Sequence, residues 1–365
     1  MKVVISGGGT AGHAYPAIAL ASALSRRPEA PDLLYVGTAK GIEARLAREA
    51  GIRFECVRAS GVSRSIKGLL AFLPLAQGAA QALALLARER PDAVAGMGGF
   101  VSAPVLWAAR RLGIPCVLHE QNAVPGLVNR VFARHARMVC VTFEESASYL
   151  KSAPWTVTGN PVREAMLDIP PRSEAAASFG LDPSRPVVLA FGGSRGARRI
   201  NEAMLAARGL WADPEALQIL HVAGRAEFDA VSASMEAAGQ VGPAHRLLPY
   251  IDDMARAYAC ASLVLSRAGA NTISEVAIAG LPSVLVPYPY ATEDHQRLNA
   301  QALARAGAAR VVADAELTGE RIVALVEGLL REPASLRAMG EAAARWGHKD
   351  AADRLAREVL AAAGA

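Results

Sequence analysis

The chain has 365 residues, of which 52% are apolar and 20% charged, and its formal net charge is +5. That length accommodates two domains with a core apiece, and that composition excludes a disordered chain. The basic excess fits phosphate-bearing partners, while no recognition module or interleaved basic-aromatic pattern points to nucleic acid.

Lys2 to Ser6 reads as a strand with no signal-peptide pattern ahead of it, which predicts a cytosolic protein. Cys56, Cys116, Cys140 and Cys260 are scattered without CxxC spacing and predict buried thiols in a reducing compartment. The first strand runs into GGGTAGHAYPAIALASAL, where glycines permit a tight turn and Pro16 suits the first turn of a helix. The glycine spacing does not match GxGxxG and no acid is suitably placed, so a dehydrogenase is disfavoured. His13 stands out as a titratable group at the mouth of the sheet, although a histidine in such a turn is often structural.

Strand and helix patterns then alternate: a strand at Leu33 to Gly37, a helix at Ile42 to Ala50, and strands at Phe54 to Val57, Ala93 to Met97 and Cys116 to His119. That alternation predicts a doubly wound parallel sheet. Two strand ends carry loops able to do chemistry. GMGGFVSAP (96–104) is a glycine turn with Phe100 at its tip. HEQNAVPGLVN (119–129) places His119, Glu120, Gln121, Asn122 and Asn129 at the same edge. Adjacent polar side chains after a buried strand are costly unless they bind something or pair among themselves, and both outcomes stay open.

Leu69 to Ala87 approaches the length of a membrane span, but Pro74, Gln77, Gly78 and Gln81 interrupt it, so a loop and a helix are expected. Arg64 and Lys67 precede Leu69, Leu70, Phe72, Leu73 and Leu75, which predicts contact of residues 64–75 with an anionic membrane surface. Ala79 to Leu86 reads as an ordinary helix over the sheet.

A stretch rich in Pro, Gly and charge marks a boundary near residue 164. Strand Val187 to Phe191 then enters GGSRGARRIN, a second glycine loop. Ser194 and nearby N–H groups form a candidate phosphate seat there, and Arg195, Arg198 and Arg199 add positive charge. Strands follow at Leu217 to Val222 and Arg246 to Leu248, with YIDDM (250–254) as a loop at the same sheet edge.

The richest stretch is SRAGANTISEVAIAGLPSVLVPYPYATEDHQRLNA (266–300). A strand at Ser262 to Leu265 runs into Gly269, and Asn271 and Thr272 can cap a helix carrying Ile273, Val276 and Ile278. Such a helix points N–H groups and the positive end of its dipole above the strand, which makes a phosphate seat. Glu275, one turn in, can accept hydrogen bonds from a ribose diol, so the pair describes a nucleotide. Pro282 to Pro287 reads as a buried strand, placing Thr292, Glu293, Asp294, His295 and Gln296 at the edge where ligands bind in open sheets. An ordinary βαβ unit would also need such a turn. Leu317 to Ala365 is helical by pattern.

GGTAGH, MGGFVSAP, HEQN, GNPVR, GGSRGA, YIDDM, SRAGANTISE and the HQxxNA run together resemble the MurG-type N-acetylglucosaminyltransferases of the GT-B superfamily, glycosyltransferase family 28. The resemblance covers almost the whole chain. It implies a GT-B fold, two facing Rossmann-like domains with a cleft between them. Residues 1–163 would take the lipid acceptor and the membrane, residues 164–340 the donor, and residues 341–365 would pack back towards the first domain. It implies inverting transfer of GlcNAc from UDP-GlcNAc to the C4 hydroxyl of the muramoyl sugar of lipid I, peripherally on the cytoplasmic face of the membrane. For the donor site it implies Thr10, Ala11, Gly12, Asn122, Arg163, Ser194, Ile251, Ala270, Asn271, Thr272, Ile273, Ser274, Glu275 and Gln296. For the acceptor side it implies His13, Phe100 and Asn129, with His13 the candidate base.

Two positions depart from the family pattern: Ala11 replaces a common glycine, which a negative φ would tolerate, and Phe100 replaces a frequent tyrosine. No DxD pair occurs, so no catalytic metal and no cofactor is expected, and the departing diphosphate would meet helix N-termini near Ser194 and Ala270 with Arg163 as a cationic helper. The rivals are another GT-B enzyme, such as a UDP-GlcNAc 2-epimerase or a soluble glycosyltransferase, and a nucleotide sensor without turnover.

Overall fold

In the computed structural model, which describes residues 1–59, 72–151, 153–193, 197–239 and 242–364, the chain divides into two compact units. One comprises Met1–Arg163 with His348–Ala365, the other Glu164–Gly347. Residues 60–71, which hold most of the expected membrane segment, and Ser194 lie outside the described residues.

The first unit is built on a seven-stranded sheet of order β3-β2-β1-β4-β5-β6-β7. Its strands are β1 (Lys2–Ser6), β2 (Asp32–Gly37), β3 (Arg53–Cys56), β4 (Ala93–Gly96), β5 (Cys116–Glu120), β6 (Met138–Val141) and β7 (Trp155–Val157). Every adjacent pair is parallel, with Val4 opposite Leu34 on one side and Val94 on the other. Successive side chains of a strand face opposite ways, so β1 feeds two cores. Val4 joins Leu34, Leu86, Leu106 and Leu118 on one face. Val3 and Ile5 join Leu20, Leu24 and Tyr35 on the other, where Leu355 and Val359 of the last helix, Ala351–Ala362, complete the cover.

The second unit repeats the plan in six parallel strands of order β10-β9-β8-β11-β12-β13. Here β8 is Val187–Phe191, β9 Gln218–Val222, β10 Ala244–Leu248, β11 Leu263–Ser266, β12 Ser283–Leu285 and β13 Ala309–Val311. Both sheets therefore reverse their strand order beside their first strand, between β1 and β4 and between β8 and β11. The crevice above such a reversal is where open α/β sheets take ligands.

Several local expectations need correction. Pro16 is the sixth residue of α1 (Ala11–Ser25), past the first turn. Its missing N–H leaves the carbonyl of exposed Gly12 outside the helical ladder. Cys56 is exposed, because β3 lies at a sheet edge. The other three thiols are buried, and burial pushes Cys116 up to about 12 and Cys260 up to about 11. Among the described residues no helix is long and apolar enough to cross a membrane.

Candidate functional site

In the first unit the reversal of strand order collects three chain segments: the turn after β1, the glycine pair after β4 and the polar run after β5. Thr10 takes the extended N-cap position of α1 and Ala11, Gly12 and His13 form its first residues, so His13 lies on a helix and not in a loop. Ala11 is absent from the positive-φ residues, which meets the condition for replacing glycine. Gly98 and Gly99 have φ of +84° and +77°, and a Cβ at either would come within 3.2 Å of the His13 ring. Those glycines are what lets the backbone wrap the imidazole. Half-exposed Phe100 leans on Gly9, where a Cβ would meet its ring at 2.9 Å.

The polar run after β5 largely pairs among itself, and the pairing has a direction. The Gln121 amide nitrogen donates to the Met97 carbonyl at 2.9 Å and lies 3.0 Å from His119 Nδ1. A carbonyl only accepts, so the nitrogen must be the amide atom at that end. His119 Nδ1 is therefore a lone pair, and His119 Nε2–H donates to the Gly159 carbonyl at 3.0 Å. His119 is fully buried, and burial pushes it down to about 4, consistent with a neutral ring. The opposite end of the Gln121 amide is then its oxygen, 3.0 Å from His13 Nδ1. His13 must carry a proton on Nδ1, and in the neutral ring Nε2 is then the basic nitrogen. It makes no hydrogen bond among the described residues.

Two buried carboxylates set the loops that frame this ring. Glu120 accepts from the Asn122 and Gly126 N–H groups at 2.9 and 3.0 Å and from the Asn129 amide at 2.8 Å. Asn129 also donates to the His119 carbonyl, and its own oxygen is buried without a partner among the described residues. It lies beside Gly98, across from His13. Asn122 gives its carbonyl to Ser146 Oγ. Glu43, fully buried on the helix Ile42–Glu49, accepts from Gly9 N–H, Thr38 N–H and Thr38 Oγ1 at 3.2, 3.1 and 2.8 Å. It ties the first glycine turn to the end of β2. Arg163 stacks its guanidinium 5.2 Å from the Tyr15 ring on α1.

In the second unit the helix Ala270–Ile278 begins directly after β11. Its N-cap is Gly269, in extended backbone, and not Asn271 or Thr272, which lie inside the first turn. The first ladder bond joins Ile273 N–H to the Gly269 carbonyl, so the N–H groups of Ala270, Asn271 and Thr272 precede the ladder. That arrangement presents donors and a positive dipole end to an anion. Ile273 is fully buried and Ser274 donates to the Ala270 carbonyl. Glu275 is 7% exposed and accepts from Tyr258 Oη at 3.1 Å, which orients it.

Gln296, at the start of the helix His295–Arg305, accepts from Tyr288 N–H at 3.0 Å and closes the loop after β12. Asn299 of the same helix donates to the Ala268 carbonyl. Ile251 is buried in the loop ahead of the helix Met254–Cys260. Of the arginines in the second glycine loop, Arg198 pairs with Glu202 and Arg199 donates to the Asp314 and Ala315 carbonyls. Both are engaged locally.

Of the expected residues, Thr10 to His13, Phe100, Asn122, Asn129 and Arg163 lie in the first unit, and Ile251, Ala270 to Glu275 and Gln296 in the second. Sequence reasoning missed Glu43 and Arg267, and placed Gln121 at the sheet edge without giving it a role. Arg267, 11% exposed by side chain, pairs with Asp314, donates to the Val286 and Pro287 carbonyls and lies over the Tyr288 ring, fixing the loop after β12. Its place between Ser266 and Gly269, at a strand end, was the available signal.

The chain matches the glycosyltransferase family 28 N-terminal domain over residues 3–141 and the family's C-terminal domain over residues 187–355. A relative from Desulfitobacterium hafniense is 42% identical over 99% of both chains. It is named UDP-N-acetylglucosamine--N-acetylmuramyl-(pentapeptide) pyrophosphoryl-undecaprenol N-acetylglucosamine transferase. Among solved structures, MurG of Acinetobacter baumannii superposes with a TM-score of 0.79 at 31% identity, covering 99% of each chain. The UDP-GlcNAc 2-epimerase of Neisseria meningitidis gives a TM-score of 0.71 at 14% identity, covering 99% of this chain and all of its own, a likeness of fold alone.

Proposed function

This chain belongs to glycosyltransferase family 28, and on that premise we propose that it transfers GlcNAc from UDP-GlcNAc to the C4 hydroxyl of the muramoyl sugar of lipid I. The observation that carries the reading is His13, whose Nδ1–H donates to Gln121 and whose Nε2 has no hydrogen bond among the described residues, above the strand reversal of the first unit. A one-step displacement with inversion needs such a base on the attacking hydroxyl and a seat for the departing diphosphate. Lipid I would meet His13, Phe100 and Asn129. UDP would meet the N–H groups of Ala270 to Thr272, with the Glu275 carboxylate on the ribose diol and backbone near Ile251 on the uracil edge. Gln296 would approach the sugar, while Thr10, Ala11, Gly12, Asn122, Ser194 and Arg163 would complete the donor contacts.

The same reading places the protein peripherally on the cytoplasmic face of the membrane. Support comes from the basic and apolar residues of segment 64–75, together with the lipid-linked substrate in the relatives' name. Incubation with UDP-GlcNAc and a short-chain lipid I analogue should give a product heavier by one GlcNAc, with the new bond β and at C4 by NMR. Retention of the α configuration, or transfer to another hydroxyl, would overturn the proposal.

A further inference from the structure

Gln121 sits where it can decide which ring nitrogen of His13 is basic. We propose that Gln121 is a positioning residue that locks His13 in the Nδ1–H tautomer through a one-way hydrogen-bond chain from the backbone. This inference rests on the reading of His13 as the base.

The chain starts at two carbonyls that can only accept. Gly159 takes the proton of His119 Nε2 and Met97 takes one proton of the Gln121 amide. The second amide proton goes to His119 Nδ1, so nothing is left on that nitrogen face but the oxygen facing His13. Rotating the amide by half a turn would set its oxygen against the Met97 carbonyl and the His119 lone pair. It would also point an N–H₂ at His13 Nδ1. Gln121 and His119 are 1% and 0% exposed, so water does not relieve such a mismatch. Removing Gln121 frees His13 to place its proton on Nε2, where the ring could no longer accept a proton from an attacking hydroxyl. The carboxylate of a serine-protease triad fixes its histidine tautomer by accepting from Nδ1–H. Here a neutral amide does the same, its own orientation fixed by backbone.

The test combines NMR with kinetics on the full-length enzyme. Long-range 1H–15N spectra of the histidine-labelled wild type, with His13 assigned by its loss in His13→Ala, should show a protonated Nδ1 and a pyridine-type Nε2 at neutral pH. A protonated Nε2 overturns the proposal without any Gln121 variant. Gln121→Leu should shift that ring towards the other tautomer and lower kcat about tenfold to a hundredfold, with the KM for UDP-GlcNAc little changed. In a His13→Ala background the same substitution should cause no further loss. An equal loss in both backgrounds overturns the proposal, because the effect then bypasses His13. Should His13→Ala alone retain turnover, the base assignment fails while the wild-type spectrum still decides the tautomer lock.

Discussion

His13→Ala should lower kcat by about a hundredfold to ten-thousandfold, the range lost when a positioned general base is removed. The KM for UDP-GlcNAc should change by no more than about twofold. The split follows from where the residue sits. Its ring is gripped between Gly98, Gly99 and Gln121 in the first unit, whereas the proposed diphosphate seat is the first turn of Ala270–Ile278 in the second. A nucleophile that must lose its proton as the bond forms gains from Nε2 only in the transition state, so the loss belongs in kcat. The measurement is initial rates with donor and acceptor varied independently. Near-normal turnover at saturation would assign the proton to another group.

Acid should destabilise each unit separately, and the effect is large for a side-chain titration. His119 in the first unit and His221 in the second are fully buried and neutral, and burial pushes both down to about 4. His221 is held by the same logic as His119. The Asn201 amide donates to the Ala223 carbonyl and Glu227, so its oxygen accepts from His221 Nε2–H at 2.9 Å. His221 Nδ1 then accepts from His245 Nε2–H at 3.2 Å. His245 is also pushed down by burial, to about 3, but its partial exposure reduces its weight.

A histidine whose folded pKa is depressed contributes its full stability above the unfolded value of about 6.5. As pH falls from there towards 4 the unfolded chain binds the proton first, and stability drops by about 1.4 kcal/mol per pH unit for each such group. Urea melts at pH 7, 6 and 5 should show each unit's midpoint moving down below about pH 6.5. Midpoints that do not move over that range would mean that these rings take up a proton as readily in the fold as in the unfolded chain.

The legible part of the fold was the part with long-period signals. Val187–Phe191 is a continuous apolar run and Lys2–Ser6 holds one of three residues, both feeding glycine turns, while Cys116–Glu120 opens on Cys116, Val117 and Leu118, as strands buried on both faces require. Trp155–Val157 and Ala309–Val311 escaped notice because three residues at a sheet edge carry no period. The glycines marked the strand reversal, but not what they made room for. That Gly98 and Gly99 wrap His13 follows from positive φ and contact across more than eighty residues of chain, and no local pattern encodes it.

The polar run 119–122 could bind or pair from its sequence alone. The structure shows largely pairing, decided by the Met97 and Gly159 carbonyls, which contribute no side chain to read. The helix cap at Ala270 was misplaced for a related reason. Asn271 and Thr272 have capping side chains, yet Gly269 already supplies the extended backbone at the turn. Glu43 drew no notice in the sequence, whereas three donors from two turns hold it fully buried.

The most direct test of the central claim is UDP release from UDP-GlcNAc by the purified protein, with and without a short-chain lipid I analogue, in EDTA. Transfer to a lipid acceptor, with the leaving diphosphate met by helix N-termini, predicts release that requires the analogue and survives chelation. Release at the same rate without any acceptor would contradict the claim and assign hydrolysis or epimerisation to this fold.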